Sequence, residues 1–281
     1  MKTPPINHSP VIGIIGGAGP DATIDFQAEL SQQMKQQGHA INDQMHFRVI
    51  VDNYTTMPDR TQALQKKGPS PLPTIQKIAS NLEALGATLL AYPCNTAHAY
   101  IADIQAKVSI PVLDIISITA SAVTNHPHTP QHIGILATDM TKHLQLHNIP
   151  GCTLHYPNSR NQALMMQAIF AAKAGYTKQP ITDKAIQQSL QRYLDSIGIP
   201  PETLEFSYSA EEIVNQNIIS LRDTGVDAVI LGCTEIPLCV DARSIEAQLG
   251  MPIINPTAEM AKAAVALALS QRQPINIAEY T

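Results

Sequence analysis

Two stretches of this chain repeat one pattern. The first reads GATLLAYPCNTAHAYIADIQAKVSIPVLDIISITASAV from Gly86, and the second reads GVDAVILGCTEIPLCVDARSIEAQLGMPIINPTAEMAKAAV from Gly225. Gly86 and Gly225 are 139 positions apart, as are Cys94 and Cys233. Pro111 and Pro252 are 141 apart, so the second copy carries two extra residues before its proline. Each copy runs through a glycine, an apolar strand, a cysteine, a polar turn, a helix and a strand after proline. IGIIGG at 12–17 likewise resembles IGILAT at 133–138. A repeat of this kind predicts two similar α/β domains facing each other.

The rest of the chain keeps the alternation. Apolar runs predict strands at 11–17, 46–53, 87–92, 110–115, 132–138, 153–158, 226–232 and 251–256. Helical spacing predicts helices at 21–37 and 75–85, the second stopped by Gly86. Residues 161–197 read as mainly helical with breaks near Gly175 and Pro180, and a last helix begins near Ala258. The fold class is α/β: two pseudo-symmetric three-layer domains with mainly parallel sheets. The expected domains are 11–114 together with 253–281 on the Cys94 side, and 115–252 on the Cys233 side.

Composition narrows the function. With 281 residues and 44% apolar content, a sizeable core can be buried. A formal net charge of −5, no Trp and 4% aromatics argue against a generic nucleic-acid surface or a base-stacking platform. The N-terminal stretch has no hydrophobic region of secretory length before Val11, and no run reaches the roughly 18 apolar residues of a membrane span. None of Cys94, Cys152, Cys233 and Cys239 sits in a CxxC pair, so zinc-ribbon and thioredoxin readings are weak. The expectation is a reduced, cytoplasmic protein with no nucleic-acid or membrane partner.

A lone cysteine at a strand end is often only a small apolar packing residue. Matched cysteines in matched polar turns point to chemistry instead. Each would stand at the C-terminal end of a parallel strand, where open α/β sheets place their sites. A following helix N-terminus is expected to lower the thiol pKa. Asn95, Thr96 and Thr234 are suited to capping those helices or to binding a carboxylate. Two thiols on opposite sides of one carbon form an acid–base pair: one removes a proton, the other returns one, and the stereocentre inverts. Cys152 and Cys239 have no partner in the repeat and are assigned to packing or surface.

The segments IGIIGGAGPDAT (12–23), DNYTTMPDRT (52–61), YPCNTAH (92–98), GILAT (134–138), AKAG (172–175) and GCTEIPL (232–238) together resemble the aspartate/glutamate racemase family. These are the cofactor-independent two-cysteine racemases, and the aspartate racemase branch is the nearest. The resemblance implies Cys94 and Cys233 as acid–base thiols, with neither pyridoxal phosphate nor a metal. It implies Arg60 as the cation meeting a substrate side-chain carboxylate and Lys173 as a second cation. Asn53 is expected near the first thiol, and Asn95, Thr96 and Thr234 on the α-carboxylate. Thr138 is expected at the strand end equivalent to the glycine turn. Gly17 in that turn and Glu235 beside the second thiol complete the expected contacts. The substrate implied is a small dicarboxylic amino acid, aspartate or also glutamate, and the assembly implied is a homodimer.

Ala18 stands where this family more often has methionine, and 179–211 is longer than the aspartate branch leads one to expect. That stretch reads as a lid, a dimer element or a peripheral helix. Gly13, Gly16, Gly17 and Gly19 do not make GxGxxG, so a nicotinamide cofactor is disfavoured despite Asp52 at the end of a strand. His98, four residues after Cys94, lacks further ligands nearby in sequence for a metal. A binding protein on the same fold, a maleate isomerase and a hydantoin racemase are the alternatives. Retention of both thiols argues against the first, and Arg60 with Lys173 favours a free dicarboxylate over a hydantoin.

Overall fold

The computed structural model describes residues 10–271. The first sheet has the order β2-β1-β3, all parallel, from β1 (Val11–Gly16), β2 (Arg48–Asn53) and β3 (Leu89–Ala91). The predicted strand at 110–115 contributes only a bridge between Val112 and Leu90 on the far side of β3. Pro111 has no N–H to lend, so Leu90 bonds only the Pro111 carbonyl and the Leu113 N–H. The second sheet has the order β5-β4-β6-β7, also parallel, from β4 (His132–Ala137), β5 (Thr153–His155), β6 (Ala228–Gly232) and β7 (Ile253–Ile254). The two sheets therefore share one plan. Gly86 and Gly225, matched in the repeat, both follow a helix and take left-handed φ of 95° and 90°.

The helices are α1 (Pro20–Gln36), α2 (Arg60–Leu64), α3 (Leu72–Ala84), α4 (Ile101–Gln105), α5 (Ile115–Thr124), α6 (Asp139–His143), α7 (Ser159–Lys173), α8 (Lys184–Ser196), α9 (Ala210–Asp223), α10 (Ala242–Leu249) and α11 (Pro256–Gln271). Strand alternation sorts the core into layers. Ile12 and Ile14 pack with Phe26 of α1 and Met260 and Val265 of α11, whereas Ile15 packs with Ile75, Ile78 and Leu82 of α3. In the second sheet, Ile133 and Ile135 face Val123 of α5, and Leu136 faces Met165 of α7 and Ile218 of α9. Each sheet is thus covered on both faces, as parallel sheets require.

Two features refine the expected layout. Ile253–Ile254 pair with β6 and belong to the second sheet, so the chain returns to the first side at Pro256 rather than at 253. Helix α5 serves both sides: Ile115 joins the core under β1, and Val123 joins the core under β4. The expected tail 272–281 lies outside the described residues. Among the described residues, no helix is long and apolar enough to cross a membrane.

Candidate active site

In both sheets the chain order reverses beside the central strand. From β1 the chain goes to β2 on one side, then crosses to β3 on the other. From β4 it goes to β5, then crosses to β6. Crevices open at such switch points beyond the strands' C-terminal ends. Cys94 follows β3 and Cys233 follows β6, so both thiols stand at switch points.

The two switch points meet around one cavity of about 30 Å³. It is lined by Ala18, Asp59, Arg60, Thr61, Cys94, Asn95, Thr96, Thr138, Phe170, Lys173, Cys233, Thr234 and Glu235. Nine of the sequence-predicted residues therefore come together. Gly17 and Asn53 do not line the cavity. Gly17 is buried behind it with its N–H on Thr23 Oγ1, and Asn53 ends β2 with its side chain exposed. Asp59, Thr61 and Phe170 were not anticipated, and Ala18, already singled out in the glycine turn, also lines the cavity. A roomier cavity, about 730 Å³, lies between α1, α10 and α11 and touches neither matched cysteine. Chemistry, not volume, assigns the site.

Cys94 is 9% exposed and Cys233 6%. The turns after them are short 3-10 segments, Thr96–Tyr100 and Ile236–Leu238, not full helices. Neither Asn95 nor Thr234 caps a helix through its side chain. Burial, then the Glu235 carboxylate, push the Cys233 thiol well above its ordinary pKa. This reverses the expected lowering at Cys233, because one 3-10 turn offers too small a dipole to offset burial. Cys233 Sγ donates to Glu235 Oε2 at 3.0 Å. The other Glu235 oxygen pairs with Lys173 Nζ. Glu235 is 3% exposed, and the chain at Gly19 approaches it so closely that a Cβ there would collide with its carboxylate.

Arg60 begins α2, whose N-cap is Asp59: Asp59 Oδ1 accepts from Gln62 N at 2.7 Å. Arg60 Nη2 donates to the Ala18 carbonyl at 2.5 Å, so the guanidinium is held against the glycine turn. Burial weakens its charge, but Cys94, Tyr92, Asp59 and Glu235 outweigh burial and raise its pKa. At Lys173, 27% exposed, burial is likewise outweighed by Glu235 and the two cysteines.

The hydroxyls of Thr96, Thr138 and Thr141 form a triangle with 3.0 Å sides, joining the first side of the cleft to the second. Thr138 also caps α6 by accepting from Thr141 N. Thr234 Oγ1 donates to the Pro93 carbonyl at 3.3 Å, a second bond across the cleft. Asn95 is 2% exposed, and neither its Oδ1 nor its Nδ2 has a partner. A buried amide left unpaired on a cavity wall is ready for a polar ligand.

His98 proves to be a structural histidine. Its Nδ1 donates to the Cys94 carbonyl at 2.8 Å, and its Nε2 accepts from Ile115 N at 3.1 Å. Burial lowers its pKa, which fits a neutral ring in this role. Cys239 is buried against the Glu235 carbonyl, and burial followed by Glu235 push it up to about 12. Cys152 donates to the Pro130 carbonyl away from the cavity. Among the described residues, no group of three or more His, Cys, Asp or Glu is placed to hold a metal ion.

The arrangement has two thiols on one cavity, with Cys233 holding its proton, and two cations, hydroxyls and an unpaired amide around them. The chain is 24% identical over 265 residues to the broad specificity amino-acid racemase RacX of Bacillus subtilis (strain 168), covering 92% of this chain and 99% of that protein. Its fold matches the aspartate racemase of Picrophilus torridus with a TM-score of 0.69 at 24% identity, over 92% of this chain and 94% of that one. It matches a glutamate racemase of Francisella tularensis, solved with D-glutamate, with a TM-score of 0.55 at 18% identity, over 94% and 82% of the two chains. The profile described as Asp/Glu/Hydantoin racemase matches residues 15–197 and 148–264, and the chain belongs to that family.

Proposed function

We propose that this protein is a cofactor-independent racemase of acidic α-amino acids, aspartate foremost, in which Cys94 and Cys233 move protons on opposite faces of Cα. The observation that carries the reading is the meeting of both repeat-matched thiols on one cavity beside Arg60. In one direction the Cys94 thiolate takes the α-proton: the Cα–H bond breaks and an S–H bond forms. The electron pair left on Cα spreads into the α-carboxylate. Cys233 then gives its proton to the other face, and its S–H bond becomes the new Cα–H bond. The cysteines end with their protonation states exchanged and run the opposite direction from there.

An α-proton is a weak acid, so charge developing on the carboxylate needs donors already in place. The unpaired Asn95 amide and the hydroxyls of Thr96, Thr138 and Thr234 are those donors. Arg60 gives the second carboxylate a planar fork once it leaves the Ala18 carbonyl. Room of about 30 Å³ suits a water or two rather than an amino acid, so the two sides part for entry and close for chemistry.

One observation favours a wider substrate range. Lys173 is already neutralised by Glu235, which among the described residues lining the cavity leaves Arg60 for a second carboxylate. On this second reading, neutral amino acids also turn over, with higher KM.

The test is incubation of pure protein with L-aspartate without pyridoxal phosphate, followed by chiral chromatography. Appearance of D-aspartate is expected, and L-glutamate and L-alanine under the same conditions separate the two readings. No inversion of any amino acid in a panel would reject both.

A further inference from the structure

The long stretch 179–211 does more than decorate the second side of the molecule. Helix α8 is fixed there by Leu190, Leu194, Ile197 and Ile199, all buried in the core that includes α7 and α9. From that anchorage it reaches across the cleft to the α2 region in three places. Tyr193 donates its hydroxyl to Asp59 Oδ2 at 2.9 Å. Gln65 Nε2 donates to the Ile197 carbonyl at 2.9 Å, and Lys67 Nζ donates to the Ser196 carbonyl at 3.0 Å. The Tyr193 ring packs at a 44° tilt against Phe170, a cavity-lining residue, with centroids 4.6 Å apart.

We propose that Tyr193 is a positioning residue for Arg60, holding α2 at the cavity through Asp59. Asp59 has two oxygens and uses both: Oδ1 caps α2, and Oδ2 takes the tyrosine proton. The residue after Asp59 is Arg60 itself. Fixing Asp59 from the opposite side of the cleft therefore fixes where the guanidinium starts and ties its placement to closure. Burial and the Asp59 charge keep the Tyr193 hydroxyl protonated, so it acts as a donor throughout the physiological range. The substrate this serves is one with a second carboxylate. The assignment rests on the racemase reading above.

The test compares wild type with Tyr193→Phe, which keeps the ring on Phe170 and removes only the donor. A hydrogen bond to a charged group is among the stronger ones, and half-buried Tyr193 places this one at the lower end of that class. KM for aspartate is therefore expected to rise about five- to tenfold. kcat should stay within about twofold, and KM for a neutral amino acid should hardly change. Amide hydrogen exchange in 60–67 should quicken in the variant, while exchange in β1 and β6 stays as in wild type. Asp59→Asn, which keeps a capping side chain, should give no further rise in KM when combined with Tyr193→Phe. An unchanged KM overturns the proposal, whether or not 60–67 exchanges faster. So does a fall in kcat alone, or an equal rise in KM for acidic and neutral substrates. If wild type inverts no amino acid, the racemase reading fails, and unchanged exchange in 60–67 would then also remove the hold of Tyr193 on α2.

Discussion

The Cys94 turn and the Cys233 turn sit at matched points of matched sheets, yet they carry different charges. Two residues after Cys94 stands Thr96, a neutral hydroxyl sharing hydrogen bonds with Thr138 and Thr141. Two residues after Cys233 stands Glu235, a buried carboxylate that takes the thiol proton's hydrogen bond and binds Lys173. A buried histidine stands behind each turn as well. His98 uses both ring nitrogens to tie the Cys94 carbonyl to Ile115. His147 packs against Gly232 with neither nitrogen bonded, and its pKa is lowered to about 4 by burial and then by His98. The repeated scaffold sets where the thiols stand. The residues beside Cys233 hold its proton in place.

The comparison breaks first at the thiols. Cys94→Ser and Cys233→Ser should each lower kcat by about a thousandfold or more, because a hydroxyl is a far weaker acid than a thiol and its alkoxide is not populated near neutral pH. Steady-state racemisation in both directions checks this, and turnover within tenfold of wild type in either variant would remove that cysteine from the chemistry.

The next effect concerns the histidines and is one of stability. A histidine whose folded pKa lies below its unfolded value of 6.5 contributes stability above pH 6.5 and loses it as pH falls toward 4. Between pH 7 and 4, wild type should therefore lose about 3 kcal/mol relative to His147→Phe. Denaturant unfolding at the two pH values reads this difference directly, and a constant difference would mean that His147 is not neutral and buried as described. Taking the difference between variants cancels the opposite contribution of Asp25, whose raised pKa strengthens the fold as it protonates.

Arg60→Ala should raise KM for aspartate about ten- to a hundredfold, as loss of a charge-assisted contact would. KM for a neutral amino acid should move little, and equal effects on both would remove Arg60 from side-chain recognition. The smallest effect sharpens the asymmetry itself. Glu235→Gln removes the negative charge beside Cys233, so the thiol pKa should fall while burial still holds it above the ordinary range. The rate of Cys233 alkylation against pH should shift to lower pH in this variant. An unmoved profile would mean that burial alone sets the thiol.

Much of this was legible in the residues. The repeat located both sheets, both cysteines and the glycine stops, because a parallel strand buried on two faces leaves a continuous apolar run. Arg60, Lys173 and the polar residues flanking the thiols came from short motifs around them. The charge of the Cys233 thiol was not legible, because it depends on burial and on the length of the turn that follows. Asp59, Phe170 and Thr141 act through neighbours distant in sequence: Tyr193 is 134 positions from Asp59 and Thr96 is 45 from Thr141. His147 carries no motif, and only the fold shows it buried beside Gly232. The strand predicted at 110–115 shrank to a bridge because Pro111 interrupts the ladder.

The central claim is that two thiols work on opposite faces of one carbon. It is tested most directly by proton NMR of initial turnover in heavy water, starting separately from L- and D-aspartate. The account predicts deuterium at Cα of the inverted product and protium in the recovered substrate, since each thiol carries a single proton and the donor arrives from solvent. Early deuterium in the recovered substrate without inversion would mean that one base serves a single face, and would contradict it.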